Sequence, residues 1–146
     1  MRIQTMATGD YPAVHSLWLN TPGMGLNTED DSEEGFCRYL RRNPNTCFVA
    51  REGKLLVGCI LAGHDGRRGF LYHTAVLPAH RGKGIGRALV EKAMAALEQE
   101  GIYKVALVVF DRNTGGNAFW EACGFSLRED LCYRNRAIHP LTRIDT

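Results

Sequence analysis

The stretch His80-Arg81-Gly82-Lys83-Gly84-Ile85-Gly86-Arg87 sets three glycines at alternate positions among basic residues, directly before the most regular apolar pattern in the chain. That pattern, Ile85, Ala88, Leu89, Ala93, Ala96 and Leu97, has helical spacing and predicts a helix over residues 85–100, terminated by Gly101. Just upstream, Gly69 to Val76 reads as a strand and Pro78 as its end. Glycines at 82, 84 and 86 remove side chains from this strand-to-helix turn, so successive N–H groups can approach a ligand closely. The helix start adds unpaired N–H donors and the positive end of its dipole. Arg81, Lys83 and Arg87 oppose that dipole, and a bound anion removes the conflict. The segment therefore reads as an anion cradle for a pyrophosphate, against the plainer alternative of a basic surface turn. A P-loop needs Ser or Thr after its Lys, where Lys83 is followed by Gly84. A dinucleotide fingerprint needs Gly at 87 or 89, where Arg87 and Leu89 stand.

Working outward, Thr46 to Arg51, Lys54 to His64 and Gly69 to Val76 are strand-like runs separated by Glu52-Gly53 and Asp65-Gly66, which predicts an antiparallel meander. Residues 2–6 read as a short first strand. Asp10-Tyr11-Pro12 opens a helix with Val14, Leu17 and Trp18 on its apolar side. Residues 20–30, with Pro22, Gly23 and Gly25, form a loop, and a second helix is predicted over 32–42. Beyond the long helix, Lys104 to Phe110 is a nearly continuous apolar run, expected to be a central strand buried on both faces. A short helix over 113–123 and a last strand from Phe125 to Tyr133 complete the order. This β-α-α-β-β-β-α-β-α-β succession predicts one domain over 1–146, of α/β or α+β class, with a mixed sheet and helices on both faces.

Composition narrows the classes. At 146 residues with 45% hydrophobic and 23% charged positions, the chain suits one globular domain. Eighteen Lys and Arg against sixteen Asp and Glu leave +2, too little for a protein that holds nucleic acid by bulk charge. No run approaches the length of a membrane span, and the opening residues lack a secretion signal, so neither membrane nor export is expected. Five cysteines without a C-x-x-C pair argue against a disulfide frame or a metal site and predict reduced thiols in the cytoplasm.

The spacing Arg81-x-x-Gly84-x-Gly86 resembles the acyl-CoA-binding motif of the GCN5-related N-acetyltransferases (GNAT). Ala75-Val76-Leu77-Pro78 resembles the strand end before that motif. Asn113 followed by Phe119-Trp120-Glu121-Ala122-Cys123-Gly124-Phe125 resembles the family's second element. Together they cover residues 46 to about 127. The resemblance implies a mostly antiparallel sheet of six or seven strands, with the fourth and fifth splayed to admit the pantetheine arm of acetyl-CoA beside Ala75 and Val76. It implies further that main-chain N–H groups from Arg81, Gly82, Lys83, Gly84, Ile85, Gly86 and Arg87 hold the pyrophosphate. Asn113 and Trp120 fall on the cofactor side of the second motif, although Asn113 suits a helix N-cap equally well.

The implied reaction moves an acetyl group from acetyl-CoA to a primary amine, of a small molecule or peptide, in a ternary complex. The amine must lose a proton before attack, and the departing thiolate benefits from a donor. The tyrosine often used as the acid is Trp120 here, whose indole N–H is no proton source near neutral pH. Strict alternation along 70–75 places Phe70, Tyr72 and Thr74 on one face and Leu71, His73 and Ala75 on the other. Tyr72 is then the catalytic candidate, Tyr133 the second, and His73 falls on the wrong face. Each tyrosine has the alternative of a packing role. Acids at 29–34 read first as a helix start with Asp31 or Ser32 as cap, and second as a cation-attracting rim. Met24 and Leu26 are candidates for the acceptor pocket. A homodimer is compatible with the family. The competing functional reading is a catalytically silent acyl-CoA sensor; a nucleic-acid module is disfavoured by charge.

Overall fold

A computed structural model describes residues 1–144. In chain order the elements are β1 (Arg2–Thr5), α1 (Tyr11–Leu19), α2 (Glu33–Arg42), β2 (Phe48–Glu52), β3 (Leu55–His64), β4 (Gly69–Val76), α3 (Ile85–Gln99), β5 (Val105–Ala106) and α4 (Thr114–Ala122). The sheet order is β1-β2-β3-β4-β5. The first four strands are antiparallel neighbours, and β5 joins β4 in parallel. Gly53 and Gly66, both with positive φ, make the two tight turns of the meander.

Two apolar layers sandwich this sheet. On one face Cys47, Val49, Cys59, Leu61 and Ala75 meet Val14, Leu17 and Trp18 of α1, Phe36 and Leu40 of α2, and Leu26 of the intervening loop. On the other, Phe48, Ala50, Val57, Ile60, Ala62 and Leu71 meet Ile85, Leu89, Val90, Ala93 and Leu97 of α3, with Phe119 and Trp120 of α4 packed at the margin. Alternation from Cys47 into β2 sends Cys47 and Val49 one way and Phe48 and Ala50 the other, as a strand buried on both sides requires. Gly58 lets α3 settle close, because an added Cβ would lie 3.0 Å from Leu89 Cδ1 and 3.2 Å from the Ala75 carbonyl oxygen.

The fold is the mixed, helix-covered sheet that was expected, but its far edge differs. Five strands form among the described residues, fewer than six or seven. Only Val105 and Ala106 of the run 104–110 pair with β4, and Val108 is 57% exposed, so this run is an edge and not a buried centre. The expected strand over 125–133 is absent: its residues are nearly all exposed, and Arg128 spends its guanidinium on Asp130 two positions away. A strand exists through its ladder, and β5 diverges from β4 after two residues, leaving little template for a further strand.

Gly35, in the first turn of α2, carries a constraint that reaches the site described next. A Cβ there would fall 2.4 Å from the carbonyl oxygen of Asp30 and 2.5 Å from that of Glu29, both backbone atoms. The loop 29–31 therefore packs against α2 only because position 35 lacks a side chain. Gly35→Ala is expected to destabilise the fold by about 1–3 kcal/mol, the usual range for overpacking, read as a lower urea midpoint with unchanged slope.

Candidate active site

β4 is paired with β5 only at Gly69↔Val105 and Phe70↔Ala106; beyond that point the two segments separate. The loop between α1 and α2 reaches toward the diverging segment, since the atoms nearest a Cβ on Gly25 belong to the Phe110 ring, at 3.8 Å and 3.9 Å. The same loop is strapped to the chain's far end: Thr28 N–H donates to the Thr142 carbonyl (2.9 Å) and Ile144 N–H to that of Leu26 (3.0 Å). The segment after β5 thus lies beside this loop, while the outer edge of β4 beyond Phe70 stays unpaired.

The glycine turn lies between β4 and α3. Gly82 (φ 76°) and Gly84 (φ 82°) are left-handed, and a Cβ on either would meet nothing within 4 Å. Their backbone is bare and open to solvent. Gly84 is the N-cap of α3 and supplies no side-chain acceptor, and the first intrahelical bond is Ala88 N–H to the Gly84 carbonyl, 3.0 Å. The N–H groups of Ile85, Gly86 and Arg87 are therefore unused by the helix. Arg81 has a local task as well, its Nε–H donating to the Val76 carbonyl at 3.0 Å and bracing the turn against β4. Lys83 and Arg87 are exposed, while the Ile85 side chain is core. Gly86 admits the Phe119 ring of α4, which a Cβ would approach to 3.2 Å. The turn is thus uncapped, positively charged and bare of side chains at Gly82 and Gly84, a helix start suited to an anion.

Midway along β4 the alternation breaks. Ile60 pairs with Thr74 and Ala62 with Leu71, so Tyr72 and His73 together oppose the single residue Leu61. This β-bulge corrects the face assignment made from strict alternation. Leu71 joins the α3 layer, Ala75 the α1 layer, and His73 turns toward α1 on the same side as Tyr72. The His73 ring meets Trp18 edge-on at 4.8 Å, and its Nε2 lies 2.7 Å from Asp31 Oδ1. Asp31 is 5% exposed, and its other oxygen accepts the Asn27 N–H at 2.9 Å. It does not cap α2; Ser32 does, accepting from Gly35 N–H.

Tyr72 is half-exposed, with its ring packed against Phe70 and edge-on to Tyr39. Partial burial raises its phenol pKa above the ordinary value, and Tyr133 and Asp30 add to the rise. Tyr133, 69% exposed on the irregular segment after α4, is thus electrostatically within reach of Tyr72, although the strand expected to carry it is missing. Asn113 caps α4 through its Oδ1, which accepts from Gly116 N–H at 2.8 Å. Trp120 stacks edge-on between Phe119 and Phe125. Leu26, expected near the acceptor, is instead 1% exposed in the core, because the loop folds inward beneath Trp18 and Phe36; Met24 packs against the same layer. The pairing of Asp31 with His73 was not visible in the sequence: 42 positions separate the partners, and a bulge leaves no mark in a single strand's pattern. Among the described residues no three His, Cys, Asp or Glu gather into a metal site, and no helix is long and apolar enough to cross a membrane.

Comparison with known proteins agrees with this geometry. A match to the acetyltransferase (GNAT) family spans residues 11–125. The chain belongs to the GNAT acetyltransferase family. This GNAT protein is 33% identical over 138 residues to an acetyltransferase of Pectobacterium atrosepticum, covering 94% of this chain and 96% of that one. It is 29% identical over 131 residues to an acetyltransferase of Sodalis glossinidius, covering 90% and 91%. Among solved structures, a putative acetyltransferase from Agrobacterium tumefaciens superposes with a TM-score of 0.70 at 26% identity, over 94% of this chain and 100% of that one. The PaiA N-acetyltransferase of Thermoplasma acidophilum, solved in complex with coenzyme A, gives 0.76 at 19% identity, over 87% and 90%.

The raised phenol has a measurable consequence. In an ultraviolet pH titration, Tyr72→Phe is expected to remove absorbance change from the part of the curve above pH ~10, where an ordinary tyrosine is already half ionised. The folded phenol holds its proton more tightly than the unfolded one, so its share of stability is intact below that pH and is lost as pH climbs through the folded value.

Proposed function

We propose that this GNAT protein transfers the acetyl group of acetyl-CoA to a primary amine in a ternary complex. The observation that carries the reading is the uncapped start of α3 behind two left-handed glycines, at the end of a strand whose outer edge is free. On this reading the N–H groups from Arg81 to Arg87 hold the pyrophosphate, with Lys83 and Arg87 supplying charge. The free edge at Ala75 and Val76 offers backbone to the pantetheine arm. Asn113 keeps its side-chain amide N–H groups for the same arm while its oxygen caps α4, and Trp120 with Phe119 walls that side.

Chemistry then divides between two protons. Tyr72, whose environment favours the neutral phenol, donates to the departing thiolate, and Tyr133 supports it from the segment after α4. A site that presents a fixed donor where charge develops lowers the barrier without reorganisation. The acceptor enters past the loop 20–31. A homodimer through the segment beyond α4 belongs to the same reading: Leu127, Leu131 and Ile138 are exposed to 75%, 61% and 92%. A cytoplasmic setting goes with it, since the five cysteines are all unpaired.

The test is coenzyme A binding by calorimetry, with thiol release from acetyl-CoA measured across a panel of small amines and peptides. Binding with turnover of at least one amine supports the reading. Binding without turnover on any favours a silent sensor. Gly84→Val places a branched side chain at φ 82° on the bare turn and is expected to weaken coenzyme A binding at least 10-fold. Tyr72→Phe is expected to lower kcat on the order of 10–100-fold while leaving coenzyme A affinity within 2-fold.

A further inference from the structure

We propose that His73 is the group that takes the proton from the incoming amine, and that Asp31 is the positioning residue that fixes its tautomer. This rests on the acyl-transfer reading above and deepens it by naming the base. An alkylamine reaches the site as an ammonium with a pKa near ~10, and Tyr72, held neutral, is no acceptor for its proton. The imidazole is the one side chain on this face of β4 that presents a basic nitrogen.

The geometry assigns its nitrogens. Asp31 is buried, and among the described residues it is paired with no Lys or Arg. A buried carboxylate is tolerable only when its oxygens are satisfied, and here they are, by Asn27 N–H and by His73 Nε2. An ionised carboxylate only accepts, so Nε2 carries the hydrogen and the lone pair stands on Nδ1. Nδ1 has no protein partner among the described residues, and the side chain keeps 14% of its surface open. Trp18 edge-on at 4.8 Å and the backbone bulge hold the ring from two further sides. Asp31 is itself fixed: its carbonyl accepts the Tyr11 hydroxyl at 2.7 Å, and Gly35 lets its loop lie against α2. The titratable groups around His73 are Asp31 of the loop, Tyr11 and His15 of α1, and Tyr72 beside it on β4, with Asp30, Tyr133 and Tyr39 beyond Tyr72. None of these is a Lys or Arg, so no Lys or Arg charge opposes the imidazolium formed during transfer.

The protons balance as follows. The ammonium gives one proton to Nδ1, and the resulting imidazolium is stabilised by the Asp31 carboxylate. The free amine forms the nitrogen–carbon bond, the carbon–sulfur bond breaks, and the thiolate takes the Tyr72 phenolic proton. The second proton of the amine returns to Tyr72, and the imidazolium releases its own to solvent. One ammonium and one thioester give one amide, one thiol and one proton.

The test compares the best alkylamine of the panel with its fluorinated analogue, which is already neutral at pH 7 and needs no base. His73→Gln is expected to lower kcat/KM for the alkylamine about 100-fold at pH 7, near the lower bound for general-base loss, and less than 5-fold for the fluorinated amine. Raising the pH toward that of the alkylamine should restore most of the loss. Asp31→Asn is the second variant. Asp31 uses both oxygens as acceptors and an Asn has one, so with that oxygen on Asn27 N–H the amide NH2 faces Nε2 and drives the hydrogen to Nδ1. It should reproduce the same selective loss, with coenzyme A affinity within 2-fold of the parent and thermal unfolding still cooperative. Equal losses for the two amines, or no loss for either, would overturn the assignment, because a merely structural pair cannot distinguish acceptors by basicity. A parent protein that binds acetyl-CoA and acetylates neither amine would overturn the transferase reading itself, a result read before any variant is made.

Discussion

Two residues of β4, Tyr72 and His73, face one residue of β3, Leu61, and much of the site follows from that mismatch. Without the extra residue, His73 would stand with Leu71 against α3 and could reach neither Trp18 nor Asp31. With it, a phenol and an imidazole stand side by side on the face that meets the loop between α1 and α2. The bulge also bends the strand just past the last residue that pairs with β5, so Tyr72 and His73 lie where the sheet opens. Strand pairing is therefore interrupted on both sides of the same few residues. The sheet gives up ladder hydrogen bonds there, and the helices on its two faces supply the packing that keeps the break in place.

The glycines divide into two kinds by what surrounds them. Gly35, Gly58 and Gly86 are places where something else has come too close for a side chain: a loop carbonyl, the α3 core, an aromatic ring. They position the site from behind. Gly82 and Gly84 have empty space around them and left-handed backbones, so close packing does not explain the missing side chains. An exposed left-handed turn leading into an uncapped helix is costly for stability alone, since Asn or Ser at the cap would satisfy donors that Gly84 leaves free. Bare amides directed outward are what an anion requires, and the flanking Lys83 and Arg87 share that logic.

Legibility in the sequence followed the range of the interactions. β4 was readable to its observed limits, and α1, α2, α3 and α4 to within a residue or two, because turns, caps and apolar spacing are local. Asn113 was readable as a cap for the same reason. The edge was misread: the apolar run 104–110 looks like a buried strand, yet what decides burial is a neighbour, and β5 finds only two paired positions. Leu26 looked like a pocket residue because its flanks are loop-forming, whereas its side chain is drawn under Trp18 and Phe36.

Sequence alone determined the family, the order of elements, the antiparallel meander and the glycine turn at the head of α3, since each is written in neighbouring residues and in backbone preferences that hold wherever the chain goes. Tertiary structure alone decided which face His73 takes, that Asp31 meets it instead of capping α2, and where β5 parts from β4. Those outcomes depend on register between strands and on contacts across 42 positions, and a register shift of one residue reverses a side chain's face without changing a letter of the sequence.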